Sequence, residues 1–473
     1  MATLLARDAE LLVTMDADRR ELRRASLFAE DGWIVAIGPA DQLPAEADTV
    51  LDLSGQIVLP GLINTHHHLS QSLGRNISGA QEARLFDWLT PHFPLWGAVT
   101  PEALGLATQV GCAELALAGC TTVFDHTYVF RNGCAIDGII AAARELGVRL
   151  HAGRGSISLG RSQGGVPPDG LVEDEAVILD DSERAIRCHH QGGSGALTRL
   201  VLAPCSPFSV SPELLRASAA LARRHPGVRL HTHLAETLDE EHYTLGTHGL
   251  RPLAYMERQG WLAPDVWFAH GVHLDGDDIR RLARAGAGIA HCPSSNMRLA
   301  SGLAPVMELL AAGVPVGLGV DGAASGESGQ LLQEVRQAFL LARLRLGLES
   351  PLGTPPQAAW MTARQALELA TLGGAAVLGR DDIGSLAVGR CADFFSLSLG
   401  SVAYAGALHD PVAAVVFCAP QPAVHTVVHG RLIVEWGQLT TIDLPAVVRS
   451  EEHTAELQSP CNLVCRLLLE KKK

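Results

Sequence analysis

The chain has 473 residues, 47% of them hydrophobic and 19% charged, and a formal net charge of −14. A chain of this length exceeds one simple core, so a globular protein of two or more domains is expected. The acidic balance argues against a nucleic-acid surface, which needs clustered basic side chains to neutralise phosphates, and leaves small-molecule chemistry as the better class.

At the N-terminus, MATLLARDAELLVTMD interrupts its apolar residues with charges before a signal-like core can form. No uninterrupted apolar stretch reaches membrane-spanning length, so a cytoplasmic location without a membrane partner is expected. Residues 1–57 carry short alternating runs with tight turns. SLFAEDGWIVAIG is one, and reads as a β-hairpin.

From residue 61 to about 322 one theme recurs: a short apolar run, a polar or glycine-bearing turn, then a helix-like stretch. The runs are GLINTHHH, CTTVFDH, VRLHAGRG, LVLAPCSPF, VRLHTHLAE, VWFAHGVHL, AGIAHCPSSN and VPVGLGVDG. Segments such as PELLRASAALARRH and DDIRRLARAG between them have helical periodicity. Strands alternating with helices imply a parallel sheet, and eight units imply a closed (β/α)₈ TIM barrel, placed over residues 58–383. Polar residues fall at the C-terminal ends of the runs, the face on which barrel enzymes assemble their sites. No G-x-G-x-x-G loop supports the open doubly wound alternative.

Residues 384–448 return to alternating patterns, as in TVVHGRLIVEWGQL. Two ends that look alike predict one small β-sandwich domain built from both. The last segment, from Arg449, differs in composition: Lys471, Lys472 and Lys473 are the only lysines of the chain. RSEEHTAELQSPCNLVCRLLLEKKK reads as adapter-derived translation, and residues 449–473 are set apart as a non-native tail. Ten cysteines without a C-x-x-C pair suggest buried thiols rather than a disulfide framework.

Four strand ends carry the chemistry. In THHH, His66 and His68 share one face of an extended strand while His67 points away. His233 ends the fifth run, His270 the sixth, and Asp321 the eighth. Three neutral imidazoles and a carboxylate can hold a divalent metal and leave a position for water, whose pKa then falls from 15.7 to about 7. Glu236, three residues after His233, is placed to act as a proton shuttle rather than a ligand.

These motifs, H-x-H, HLAE, AH-x-x-HL, HCP-x-SN and VDG, occur in the order found in the amidohydrolase superfamily, and the chain resembles its cytosine/guanine deaminase-like branch over residues 1–448. The resemblance implies a mononuclear aminohydrolase with metal ligands His66, His68, His233 and Asp321. It assigns His270 and Asp321 to the attacking water and Glu236 to a ring nitrogen. Binuclear relatives use a carboxylated lysine on the fourth strand, which a chain without lysine before Lys471 cannot supply. The H-x-E/P-C-x-x-C deaminase architecture is also missing, since APCSPF holds one cysteine. Zinc is the expected ion, with iron or manganese also suited to the donor set.

Gln71, by the same resemblance, reads the edge of a purine-type base. Its carboxamide offers one acceptor and two donors. Cys205 stands where adenosine-type relatives carry histidine, which favours a compact free base. Arg154 and His126 are further candidates for substrate contact, Arg154 as donor to an 8-oxo oxygen. HHHLSQSL, LFDWL, GRGSISLGRSQGG, APCSPFSVS, HCPSSNMRLASG and YAGALHDPVAA resemble stretches of the branch that converts 8-oxoguanine to urate and ammonia. Hydroxytriazines with an alkylamino leaving group, isoxanthopterin and guanine are the alternative substrates. A catalytically silent binding protein on this fold is disfavoured by the presence of Glu236, His270 and every ligand. Gly326 departs from the family's asparagine after VDG. A homo-oligomer is expected on general grounds.

Overall fold

The computed structural model describes residues 2–349 and 360–458. Five strands come first: β1 (Thr3–Val13), β2 (Glu21–Glu30), β3 (Trp33–Gly38), β4 (Thr49–Asp52) and β5 (Gln56–Pro60). Eight follow: β6 (Leu62–Asn64), β7 (Cys120–Thr127), β8 (Arg149–Ser156), β9 (Thr198–Pro204), β10 (Arg229–Leu234), β11 (Val266–His270), β12 (Gly288–His291) and β13 (Val316–Leu318). The last are β14 (Phe394–Ser398), β15 (His425–Val428), β16 (Arg431–Glu435) and β17 (Gln438–Leu439).

Strands β6 to β13 pair in parallel in chain order, and β13 closes onto β6 through Leu318 and Asn64. This is the (β/α)₈ barrel expected from the eight runs. Its interior is packed: Phe124 and Trp267 lie with ring centroids 4.9 Å apart, clustered with Ile63, Val201, Ala203 and Ala290. The outer helices start on local signals. Ser211 Oγ accepts from Leu214 N at 2.9 Å ahead of the helix Pro212–Ala222, and Asp275 and Asp278 form a capping box on Gly276–Ala285. Each such cap contributes about 1 kcal/mol.

The remaining strands form one nine-stranded sheet in the order β17-β16-β15-β14-β5-β1-β2-β3, with β4 beside β1. The antiparallel β5–β14 ladder, Phe394 opposite Pro60 and Ser398 opposite Gln56, joins the two chain ends into the one β domain predicted. Asp31 (φ 47°) and Gly32 (φ 84°) turn the β2–β3 hairpin, the paired left-handed geometry that suits a right-twisted ribbon. The sheet curls on itself: Ile34 N donates to Arg390 O at 2.9 Å and Ala392 N to Gly32 O at 2.8 Å. Leu27, Ile34, Val58, Phe394 and Val427 fill the space enclosed.

On the other face Phe395 presses on Gly119 ahead of β7, where a Cβ would stand 2.4 Å from the ring. Beneath the barrel, Arg149 meets Asp393 at 3.0 Å with both side chains buried. The segment set apart as a tail lies partly outside the described residues. Residues 449–458 continue the helix Leu444–Gln458, where Ser72 Oγ donates to Glu451 at 2.6 Å. All eight cysteines among the described residues are free thiols.

Candidate active site

The triplet His66–His68 follows β6 directly and keeps an extended backbone tied to both neighbours. Asp321 N donates to His66 O at 3.1 Å and His126 N to His67 O at 2.7 Å. Alternation then sends His66 and His68 into the barrel mouth. His67 turns outward, its Nε2 3.7 Å from where a Cβ on Gly111 would stand. It accepts from His68 N at 2.8 Å.

Three imidazoles converge with Asp321. His68 Nε2 lies 3.1 Å from His233 Nε2 and 3.2 Å from Asp321 Oδ1, and His66 Nε2 lies 3.3 Å from the same oxygen. The far sides of the rings fix where the protons are. His68 Nδ1 donates to His126 O at 2.7 Å and His233 Nδ1 to Cys205 O at 2.5 Å. His231 Nδ1 donates to Trp267 O at 3.0 Å, which leaves its Nε2 to accept from His66 Nδ1 at 2.9 Å. Each ligand nitrogen therefore presents a lone pair, and His66 Nε2 is buried without a hydrogen-bond partner. Lone pairs facing one another beside a carboxylate are a donor set for a cation. Ligands about 2.0–2.2 Å from one ion at tetrahedral angles lie about 3.3 Å apart, which these separations match.

The electrostatics agree. Burial and the neighbouring imidazoles hold His66 down to about 3, and drive His233 well below its ordinary value. For His68 burial acts in the same sense, but the hydrogen bond and charge of Asp321 outweigh it and lift the group. Burial would raise Asp321, yet His66 and His68 hold it well below the carboxylate range. A bound cation would take over the role of that proton.

Glu236 and His270 stand beside this set. His270 Nε2 lies 3.4 Å from Glu236 Oε2 and 3.9 Å from Asp321 Oδ2. Burial first, and the charge of Asp321 second, push Glu236 well above the usual carboxylate range. Two residues here hold left-handed backbone, His270 (φ 73°) and Asp321 (φ 60°). Such strain, of order 1–3 kcal/mol per residue, persists only where the surroundings over-determine it.

Above the floor lies a cavity walled by the helix Leu85–Ala98 and by loops at the barrel mouth. Its walls are mostly apolar: Leu85, Trp88, Leu89 and Phe93 from the helix Leu85–Ala98, with Ile157, Phe208 and Leu299. Gln71, Tyr128, Cys205, Ser206, Ser209 and Ser325 are its polar groups outside the metal set and its two neighbours. Gln71 is buried with Oε1 unpartnered, and a Cβ on Gly322 would stand 1.7 Å from that oxygen, so the glycine of VDG makes room for it. Burial pushes the Cys205 thiol up to about 12, so it is a neutral thiol.

Two candidate substrate contacts are placed elsewhere. Arg154 does not line the cavity. The inward positions of β8 are His151, Gly153 and Gly155, so Arg154 faces the outer helices. Its Nε donates to Asp181 at 2.7 Å and its Nη2 to Glu173 at 2.9 Å, the guanidinium lying over Phe130. His126 sits below the metal set rather than at the rim, its Nε2 donating to Ala203 O at 2.8 Å. With His66, His68 and His233 it belongs to a group of nitrogens close enough to share an ion, and its Nδ1 is unpartnered. Gly326 sits in a backbone turn, N to Gly322 O at 2.8 Å, where a Cβ would stand 2.5 Å from Val320 O. The side chain of the family's asparagine would clash there.

Residues 57–433 match the model of the amidohydrolase family. The chain belongs to this family. Among its relatives, 8-oxoguanine deaminase of Pseudomonas aeruginosa is 49% identical over 425 residues, 89% of this chain and 92% of the relative. Hydroxydechloroatrazine ethylaminohydrolase of Pseudomonas sp. strain ADP is 37% identical over 96% of this chain and 95% of its own. The fold superposes on atrazine chlorohydrolase of Arthrobacter aurescens TC1, solved with zinc, at a TM-score of 0.89 with 33% identity, covering 96% of this chain and 100% of that one.

In this amidohydrolase the residues that reading the motifs missed are those behind the ligands. His231 carried a visible signal, since HTH repeats the H-x-H alternation and puts it on the same face as His233. Tyr128 carried none, while Trp88 in LFDWL and the Ser206–Ser209 pair in APCSPFSVS, whose hydroxyls lie 2.6 Å apart, lay in stretches that did not single them out. They reach the cavity through loop and helix placement. No helix among the described residues is long and apolar enough to cross a membrane.

Proposed function

We propose that this amidohydrolase deaminates a free purine-type base, converting 8-oxoguanine and water to urate and ammonia. The observation that carries the reading is the meeting of His66 and His68 with Asp321, and of His68 with His233, beside Glu236 and His270 at the floor of a largely apolar cavity. The relative with 49% identity supports the choice of base.

His66, His68, His233 and Asp321 would hold a single divalent metal, zinc by analogy with the zinc-bound structural relative. Such an ion supplies Lewis-acid activation, lowering the pKa of water from 15.7 to about 7. The chain's own groups manage the protons. His270 and Asp321 accept the proton that water gives up as its oxygen bonds to the ring carbon bearing the amino group. Glu236, facing the same space and favoured in its protonated form by burial, donates to the adjacent ring nitrogen. The C–N bond then breaks: the amino group takes the proton held by His270 and Asp321 and leaves as ammonia, while the new hydroxyl gives its proton to Glu236 as the carbonyl forms. Gln71 holds the edge of the base, one acceptor and two donors against an amidine-type N–C–N. Trp88, Phe93 and Phe208 provide apolar walls for a flat ring.

The test is steady-state ammonia release from 8-oxoguanine, guanine, isoxanthopterin and a hydroxylated ethylaminotriazine, alongside metal analysis of the same sample. The 8-oxo base should give the highest kcat/KM, with one equivalent of metal. Preference for the triazine would replace this reading with that of the second relative. Turnover unaffected by stripping the metal would overturn it.

A further inference from the structure

We propose that Asn296 is a positioning residue that sets the tautomer of His270, an inference that rests on the hydrolytic reading above. Asn296 is fully buried, and its Oδ1 lies 2.9 Å from His270 Nδ1. A carboxamide oxygen only accepts, so it selects the imidazole that carries its proton on Nδ1. The lone pair is then on Nε2, the nitrogen that faces Glu236 Oε2 at 3.4 Å and Asp321 Oδ2 at 3.9 Å. That is the form able to take a proton from water. The other tautomer would turn an N–H toward the two carboxyl groups and could accept nothing.

The mounting of Asn296 fits this role. It lies on the helix Pro293–Arg298, its N donating to Cys292 O at 3.0 Å and its O accepting from Ser301 N at 2.8 Å. The start of that helix is clamped by buried Glu334, which accepts from Ser294 N at 2.9 Å and Ser294 Oγ at 2.5 Å. The backbone that carries the carboxamide is thus held on both sides, and its Nδ2 has no hydrogen-bond partner among the described residues.

The test pairs two substitutions with a direct reading of the ring. Asn296→Asp keeps an acceptor of the same shape and removes the donor, whereas Asn296→Leu removes both. With Asn296→Asp, kcat should stay within about tenfold of wild type, and with Asn296→Leu it should fall about 10²-fold with KM and metal content little changed. In ¹⁵N-histidine spectra of the full-length wild type, the resonances lost in His270→Gln should show a protonated Nδ1 and a bare Nε2. Equal impairment of the two Asn296 variants, or a proton on Nε2 in the wild type, overturns the proposal. If Asn296→Leu fails to fold, the wild-type spectrum still decides. A wild type inactive on every base would sink the functional reading, while the same spectrum would continue to judge the tautomer.

Discussion

His231 Nε2 lies 2.9 Å from His66 Nδ1, and its own Nδ1 is committed to the Trp267 carbonyl at 3.0 Å. The proton order along this chain is therefore fixed, and it leaves His66 Nε2 free for a cation. His231→Phe keeps the ring volume and removes the acceptor. Metal affinity should drop about 10- to 100-fold, measured by titration of the stripped protein, with activity recovered at high metal concentration. Unchanged affinity would show that His66 needs no such partner.

Glu236 and His233 should separate by readout. Glu236→Gln preserves shape and leaves the four ligands intact, so metal content should match wild type while kcat falls about 10²- to 10⁴-fold. His233→Ala removes a ligand and should lose metal and turnover together. Full activity in Glu236→Gln would remove its proton-transfer role.

Arg154 should matter for stability and not for selectivity. Its guanidinium is 2% exposed and paired with Glu173 and Asp181. Arg154→Ala strands Glu173, while Asp181 keeps Arg184 at 2.8 Å, and should cost about 3 kcal/mol in denaturant unfolding. The ratio of kcat/KM for 8-oxoguanine and guanine should not move. A collapse of that ratio in a stable, folded variant would return Arg154 to the substrate site.

Acid sensitivity should trace in part to Asp382. Burial opposes its ionisation, but Arg380, donating to both carboxylate oxygens at 2.7 Å, and Gly195 N hold it well below 3.8. With the folded value below the unfolded one, the unfolded chain takes up the proton first. The pair's stabilisation is full above the unfolded value and drains as pH falls through it toward the folded one. Asp382→Asn should lower stability at neutral pH and flatten its decline below that point, read from thermal unfolding across pH. A parallel decline in both proteins would refute the assignment.

The alternation of THHH and HTH, the eight apolar runs and the hairpin turns are properties of neighbouring residues, and they determined the barrel, its mouth and the residues that meet there. Two-residue periodicity settles which face a side chain takes along a strand, so His66, His68 and His233 were legible from the chain alone. The same rule places Arg154 outward, but only once the register of β8 is known, because its inward neighbours are glycines with no side chain to mark the face. The level of His126 in the barrel was not legible for a related reason: depth along the axis depends on strand stagger, which closure sets and periodicity does not. The cavity walls, the support of His66 by His231 and the contact of Asn296 with His270 bring together residues from separate strand ends, loops and the helix Leu85–Ala98. Those relationships follow from how the barrel closes and where its loops pack, so only the tertiary structure decided them.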